Sequence, residues 1–484
     1  MQKIFYDTRI LDQAARDAYG LTEDIMMENA AAALERAGSD HFFSPDNKYI
    51  NRPCVLILAG GGNNGADGYA LARRIVQHKI DVAVCQVYEP KSAMCVLQAD
   101  RAKKAGAIFI SPHDLDEWIE RASFDLRVVY DCIFGSGFHG TLDARASAVI
   151  KSANKIDGAY KIACDLPTGA NQDYSQDQNA VAFLADTTVT MGALKLALYS
   201  DAAKDACGQI VVADLGVSLS NFESAMQAQE AAAPCANLLE PADARLPLRG
   251  KKQNSNKGTY GHTAIYAGTK PGAAVIAGHA ALKFGSGLAS LVPIAEQKIN
   301  FENVADFELM VADAVPQNAT ALVAGPGLGR PNSSQAQEAV ASNDCGPASV
   351  FGALGSSTLP AVLDADIFYW PQIKDLLAVK KNVVLTPHPK EFAALLKNLG
   401  MGDYTVAQLV ARRFELVKDF CRAYPDCVLV LKGANVLIAS KLQGEQEPRV
   451  YINPLGTSAL AKAGSGDVLA GMTAALLAQG YLPL

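Results

Sequence analysis

Apolar positions along the chain fall into short continuous runs, separated by segments in which they recur at helical spacing. From Cys54 onward the two patterns alternate. The run CVLILA at 54–59 is followed by a glycine-rich loop and then by YALARRIVQH, which reads as a helix. DVAVCQVY reads as a strand, the segment around 92–105 as a helix, IFI as a short strand and LDEWIERA as a helix. LRVVYDCIF, YKIACDLP, DTTVTM and QIVVADLG read as further strands. Ahead of them, residues 9–38 read as one or two helices, with Gly38 as the stop signal. Alternation of this kind predicts α/β architecture, with a parallel sheet covered on both faces.

The pattern changes over 218–256. SNFESAMQAQEAAAPCANLLE is rich in alanine, and PADARLPLRGKKQNSNKG carries proline, glycine and a basic run. A domain junction is expected near 225–250, containing a helix and a short strand rather than a free linker. It divides the chain into 1–225 and 226–484. A second βα series starts at Tyr260. HTAIYAG is a strand and AAVIAGHAALKFG a helix ending at glycine. ASLVP, ALVAGPG, AVLDAD, NVVLTP and CVLVLKG read as successive strands, and GSGDVLAGMTAALLAQG as a glycine-rich loop entering an apolar helix. The chain stops at Leu484, soon after that helix, and a further C-terminal helix is expected to be missing. The halves share no obvious repeat.

Composition narrows the function classes. Half of the 484 residues are apolar, yet no apolar stretch reaches the roughly 18 residues that span a bilayer. The N-terminus MQKIFYDTRILDQ lacks the charged-then-apolar order of a signal peptide, so a cytoplasmic protein without a membrane partner is expected. The ten cysteines include no C-x-x-C pair and mostly sit in apolar, strand-like runs, which predicts reduced, buried thiols. The histidines include no H-x-x-x-H pair, against a zinc site. A formal net charge of −7 argues against a general nucleic-acid binder. An anionic substrate would need local positive charge or helix N-termini.

Four predicted strand ends in the first half carry unusual polar residues: Asn63–Gly68, Asp131–Gly137, Asp165–Gly169 and Gly192–Lys195. In an open parallel sheet, ligands bind outside the carboxyl ends of the strands, so these segments could converge on one cleft. The glycines let the backbone approach a pyrophosphate. Asn64, Asp131 and Thr168 form a set of hard oxygen ligands suited to a hard cation. Asp165 is a candidate general acid/base, and Lys195 could orient substrate or share the proton transfer. Each residue also has a plain reading: a turn, a helix cap, an Asx-turn, a solvated lysine. Gly60-x-Gly62-x-x-Gly65 fits the dinucleotide fingerprint in letters. A dehydrogenase also wants an acidic residue ending the second strand about 20 residues on. Asp81 opens that strand, and Glu89 lies at its end but further away, so the spacing does not favour hydride transfer.

The second half carries its own series: Asn256–His262, Gly325–Gly329, Leu363–Asp366, Thr386–Glu391, Leu431–Asn435 and Gly464–Asp467. In the last, two glycines expose backbone N–H groups at the start of an apolar helix, making an anion hole for a transferring phosphoryl group. Asp467 is placed to take a proton from a substrate hydroxyl. Lys432-Gly433 would lie along a nucleotide phosphate or an adenine pocket. No Walker A motif is present. The plain alternatives are a helix N-terminus favouring Asp, a buried hydrogen-bonded His388 and a tight GPGLG turn.

GGGNNGADGYALAR, DCIFGSG, DLPTG and MGALK, in that order, resemble the YjeF N-terminal domain, the NAD(P)H-hydrate epimerase family. The resemblance covers about residues 1–220. It implies a Rossmann-like three-layer αβα fold and potassium held by Asn64, Asp131 and Thr168. It also implies hydrate contacts from Asn63, Asn64, Gly65, Ala66 and Asp67, from Gly135, Ser136, Gly137, Phe138, His139, Gly140 and Thr141, and from Asp165. The family usually has Gly where Ala66 stands, Ser where Thr168 stands, and Phe and Pro near Met191 and Leu194. The Ala66 methyl would matter if that position needs positive φ.

NKGTYGH, GPGLG, LDAD, LTPHPKEF, LKGAN and AGSGDVLAG resemble, in order over about 250–480, the ribokinase-like fold and within it the ADP-dependent (S)-NAD(P)H-hydrate dehydratases. This implies a second αβα domain, substrate contacts at Ala273, Gly327, His388 and Asp467, and nucleotide contacts at Lys432, Gly433, Ala434, Asn435, Val436 and Gly466. It implies ADP as co-substrate, with magnesium. The ligands expected are NAD(P)H hydrates and ADP, in a homo-oligomer. Two alternatives stay open: a small-molecule kinase of the hydroxymethylpyrimidine type with an accessory domain, and a non-catalytic YjeF-type scaffold. The Asp131, Asp165 and Thr168 set and the acidic charge speak against the scaffold.

Overall fold

The run Cys54–Ala59 is buried at every position, as a strand covered on both faces must be. The computed structural model describes residues 1–42, 53–122, 125–138, 140–170, 181–224, 233–243, 253–294, 308–331 and 347–483. The chain divides into two units, Met1–Leu238 and Leu239–Leu484.

The strands of the first unit are β1 (Gln2–Phe5), β2 (Cys54–Ala59), β3 (Asp81–Gln86), β4 (Ile108–Ile110), β5 (Leu126–Cys132), β6 (Tyr160–Cys164), β7 (Thr187–Met191), β8 (Leu194–Lys195), β9 (Gln209–Ala213) and β10 (Ala236–Leu238). Seven of them form one sheet in the order β4-β3-β2-β5-β6-β7-β9, parallel throughout. The chain runs outward from β2 to β4, then returns to the other side of β2 at β5. The order reverses there, as it does in Rossmann sheets. Val55, Ile57 and Ala59 face one core with Leu34, Tyr69, Leu71 and Phe222; Leu56 and Leu58 face the other with Leu115, Val149 and Ile150. Helices therefore cover both faces, giving three layers. Separately, β1 lies between antiparallel β10 and parallel β8.

In the second unit the strands are β11 (His262–Ala267), β12 (Leu288–Pro293), β13 (Met310–Val311), β14 (Ala321–Ala324), β15 (Ala361–Leu363), β16 (Val383–Leu385), β17 (Cys427–Leu431), β18 (Val436–Ser440) and β19 (Arg449–Asn453). They are ordered β13-β12-β11-β14-β15-β16-β17-β18-β19. The first seven in that order are parallel; β18 and β19 add antiparallel. Helices Pro271–Lys283 and Ser465–Ala478 cover one face, against Ile265, Leu291, Val323, Val362 and Val384. They pack tightly enough that a Cβ on Gly471 would run into the Ala277 carbonyl. Tyr266, Val292 and Leu322 alternate with those residues and face Val350 and Ala353 of helix Pro347–Ser356 on the other side.

Three sequence expectations are corrected or extended. Residues 9–38 are two helices, Arg9–Tyr19 and Glu23–Phe42, parted at Gly20 in the left-handed region. Gly38 does not stop the second; it sits inside it, because Tyr130 from β5 packs where a Cβ would be. The helix after β2 begins at Asn63 rather than at Tyr69, so the Asn-Asn-Gly motif is its first turn. Helix Ala144–Asn154 and the β18–β19 hairpin were not anticipated. Around the expected junction the structure has a helix at Leu219–Ser224 and the strand β10, while 225–232 and 244–252 lie outside the described residues. Nine cysteines are buried free thiols; Cys345 lies outside the described residues. Among those residues no helix is long and apolar enough to cross a membrane.

Candidate functional site

The glycines after β2 are required by their neighbours. A Cβ on Gly60 would enter the Ile133 carbonyl, one on Gly61 the Glu89 carbonyl, and one on Gly65 the Gly60 carbonyl. Gly62, by contrast, has open space around it. Ala66 is helical, donates its N–H to the Gly62 carbonyl at 3.0 Å, and buries its methyl in the core with Tyr69 and Tyr130. It needs no positive φ, so the methyl is accommodated and faces away from the loop's open side.

Asp165 follows β6 with φ +68°, a conformation Asp tolerates better than most residues. Its Oδ1 lies 2.6 Å from Lys195 Nζ. Its Oδ2 accepts from the Ser136 N–H at 2.9 Å and the Ser136 hydroxyl at 2.8 Å. Lys195, buried at β8, also donates to Thr190 Oγ1 at 3.0 Å and to the Met191 carbonyl at 2.9 Å. Burial pushes the Asp165 carboxyl up, but the Lys195 ammonium and the Ser136 hydrogen bonds outweigh it and hold the group below its usual range. A Cβ on Gly135 would stand 2.8 Å from Asp165 Oδ2 and 3.1 Å from Asn64 Oδ1. Gly135 thus lets Asn64, from the helix after β2, and Asp165, from the end of β6, meet over one loop.

Asp131 is fully buried at the end of β5. Thr168 donates to it twice, from its N–H to Oδ2 and from its hydroxyl to Oδ1, both at 2.7 Å; the Ile133 N–H adds 3.1 Å to Oδ1. The Phe134 N–H donates to Thr168 Oγ1 at 3.1 Å. Burial raises the Asp131 carboxyl to about 6 against those hydrogen bonds. Among the described residues no basic side chain pairs with it, and the Asn64 amide nitrogen is buried without a partner. A buried carboxylate with a hydroxyl oxygen beside it has the donor chemistry of a hard-cation site, whereas the unpartnered Asn64 amide nitrogen is a donor and calls for an acceptor.

The remaining expected contacts are spread around this centre. Partly buried Asp67 is held well above its usual range by burial and by the Asp165 charge, and accepts from the Cys164 thiol at 3.8 Å. Phe138 stacks on Phe134 at 4.4 Å between centroids. Asn63, Gly137, Gly140 and Thr141 are exposed, and His139 lies outside the described residues. Sequence reasoning missed Asp12, on helix Arg9–Tyr19. Burial pushes it up to about 6, with Lys195 opposing and Asp165 adding to the rise. A polar residue next to Leu11 on the buried stripe of an amphipathic helix was the available signal.

In the second unit Asp364, at the end of β15, accepts from Thr386 Oγ1 at 2.9 Å and from Lys432 Nζ at 2.9 Å. Lys432 also lies 3.6 Å from Glu391 Oε2. A Cβ on Gly466 would be 3.4 Å from Lys432 Nζ and 3.7 Å from Asp364 Oδ2, so the start of helix Ser465–Ala478 abuts this pair. Gly464 turns the chain into that helix at φ +87°. Asp467, in the first turn, is raised to about 6 by burial and by the Asp364 charge, with Lys432 opposing. First-turn amides have no carbonyl partner within their helix and are available to an anion. His388 caps helix Pro389–Leu399, its Nδ1 accepting from the Lys390 and Glu391 N–H groups at 3.1 and 3.2 Å. Burial and the Lys432 charge lower its pKa.

Gly327, at φ +61°, accepts from the Lys270 N–H at 3.0 Å, and Ala273 donates to the Lys270 carbonyl at 3.2 Å, so the two lie on adjoining loops. Gly433 and Ala434 are exposed, Asn435 is buried with its carbonyl accepting from Arg413 at 3.3 Å, and Val436 opens β18. Asp364 and Glu391 carry the contacts to Lys432 and Thr386 holds Asp364, yet none of the three had been given a role of its own.

A reversed-order parallel sheet with a buried Asp–Lys pair, followed by an αβα unit whose glycine-capped helix meets a Lys–Asp pair, defines a two-unit nucleotide-processing enzyme. The chain is 39% identical to the "Bifunctional NAD(P)H-hydrate repair enzyme Nnr" of Helicobacter pylori, over 100% of this chain and 92% of that protein. It belongs to the bifunctional NAD(P)H-hydrate repair enzyme family. The Coxiella burnetii enzyme of the same name is 30% identical, over 94% of this chain and 88% of that protein. Family models match residues 23–197 as the YjeF-related protein N-terminus and 264–484 as NAD(P)H-hydrate dehydratase. Among solved structures, the ADP/ATP-dependent NAD(P)H-hydrate dehydratase of Bacillus subtilis, co-crystallised with ATP and Mg2+, is 27% identical over 50% of this chain and 81% of that one, with a TM-score of 0.38.

Proposed function

We propose that the first unit interconverts the R and S epimers of hydrated NADH and NADPH, and that the second dehydrates the S form at the expense of ADP, releasing AMP and phosphate. The observation that carries the first assignment is the Asp165–Lys195 pair at 2.6 Å. A carboxylate held ionised can take the proton of the C6 hydroxyl and return it. Loss of that proton opens the bond from C6 to the ring nitrogen, and closure on the opposite face gives the other epimer. Lys195 keeps the carboxylate charged and aimed. Asn64, Asp131 and Thr168 would hold potassium, which would supply positive charge near the oxygen as it turns anionic.

In the second unit Asp467 would accept the C6 hydroxyl proton as phosphate transfers from ADP. The amides after Gly464 and the Lys432 ammonium would face the migrating charge. Loss of phosphate, driven by the ring nitrogen, and then of a C5 proton to water restores the C5–C6 double bond of the reduced cofactor. Magnesium is expected with the nucleotide and would take most of its ligands from phosphate and water; among the described residues no group of three or more His, Cys, Asp or Glu is placed to hold a metal. Residues 1–225 and 226–484 are proposed as the two catalytic domains, in a cytoplasmic homo-oligomer.

The test uses chemically hydrated NADH with ADP and magnesium, following absorbance of the reduced nicotinamide. Full recovery, slowed to the spontaneous epimerisation rate in Asp165→Ala, supports both activities. Recovery of the S fraction alone in the unmodified chain supports the dehydratase only. A stable phosphate ester on another alcohol, with no recovery, favours the small-molecule kinase.

A further inference from the structure

The centre built on Asp165 occupies the ends of β5, β6 and β7. A second concavity lies across the point where the strand order reverses, at the ends of β3 and β4. It is an open groove of about 500 Å³, floored by Val87, Phe109 and Ile110 and rimmed by Glu89, His113 and Arg145. The groove adjoins the glycine loop directly: the Val87 N–H donates to the Ala59 carbonyl at 2.9 Å and the Lys91 N–H to the Gly61 carbonyl at 2.8 Å. Arg145 is held at its edge, donating to the Val87 carbonyl at 3.3 Å with its guanidinium 5.7 Å from the Tyr88 ring centroid.

From β3 to β6 is three strand spacings, roughly 14 Å at the usual separation, a distance on the scale of an extended dinucleotide. Sheets of this order hold dinucleotides across the reversal, one nucleoside on each side and the pyrophosphate between them at the first helix N-terminus. The reacting ring must lie beside Asp165, so the other nucleoside falls on β3 and β4. An apolar floor with a carboxylate and basic groups at its rim suits a purine, its ribose hydroxyls and an adjoining phosphate.

We infer that this groove binds the adenosine half of the hydrate, with Glu89 accepting from the ribose hydroxyls and Arg145 meeting the phosphate side. The inference rests on the epimerase reading above. It gives the strand-end acid of dehydrogenase sheets a binding role here, three residues beyond the end of β3, without any hydride transfer.

The test compares epimerisation of hydrated NADH with that of hydrated reduced nicotinamide mononucleotide, in the full chain without ADP. Glu89→Gln and Arg145→Met, both at exposed positions, are each expected to raise KM for the dinucleotide hydrate about tenfold, the loss of one polar contact. The ratio of kcat/KM for dinucleotide over mononucleotide hydrate should fall by the same factor. An unchanged ratio in both variants overturns the groove assignment while leaving the epimerase reading intact. If the unmodified chain epimerises neither hydrate, the epimerase reading itself is wrong, and the assignment falls with it.

Discussion

Gly135 owes its identity to two side chains that meet over it. In Gly135→Ala the new methyl would press on Asp165 Oδ2 and Asn64 Oδ1. The expected result is a loss of epimerase kcat of at least tenfold, with dehydration of the purified S hydrate unaffected, measured by chromatographic separation of the epimers. Lys195→Met removes the charge that helps hold Asp165 below its usual range, leaving burial opposed by the Ser136 hydrogen bonds alone. The carboxyl pKa then rises. The acid limb of the epimerase pH profile should move upward by about a unit or more, a shift read directly from kcat/KM against pH. The candidates Asp165 and Lys195 could be read from motifs at strand ends. Their pairing could not, because thirty residues separate them and the contact exists only once β6 and β8 are placed.

At the scale of elements, most strands were readable because buried parallel strands are continuous apolar runs. What escaped had a tertiary cause. Gly38 carries the local mark of a helix end, yet the helix passes through it because Tyr130 needs the room. Gly38→Ala would bring a methyl to 2.9 Å from Tyr130 Cζ and closer still to its hydroxyl. Tyr130 is fully buried and donates to the Leu34 carbonyl at 3.2 Å, so it has nowhere to go. A destabilisation of about 1–3 kcal/mol is expected, read as a lower denaturant midpoint. The β18–β19 hairpin was hidden differently. Its first strand, VLIAS, follows the LKGAN loop directly, and its partner lies beyond a charged turn. Four-residue β1 gains its place from β10, more than two hundred residues away.

For the molecule as a whole, the two units carry bases of opposite tuning. Asp165 is held low and stays ionised at pH 5. Asp467, raised to about 6, is mostly protonated there and cannot accept a proton. As pH falls from 7 to 5, dehydration should decline close to tenfold per unit below 6, while the epimerase base stays ionised. The ratio of epimer exchange to S-form consumption should therefore rise as the pH falls, a change visible by following both in one reaction. Separation should also follow from single variants. Asp467→Asn should abolish cofactor recovery and leave epimer exchange; Asp165→Asn should do the converse, slowing to the spontaneous epimerisation rate once the S fraction is spent.

The glycine loop after β2 carries a last consequence. Gly60, Gly61 and Gly65 are each wedged against main chain, and the helix that follows starts at once with Asn63. Such a loop has no slack with which to fold over a ligand. Its conformational entropy is already lost in the apo protein, so binding at this face should order little that is not ordered beforehand. Association of the dinucleotide hydrate should then be a single fast step, and exchange of these amides with solvent should be as slow without ligand as with it.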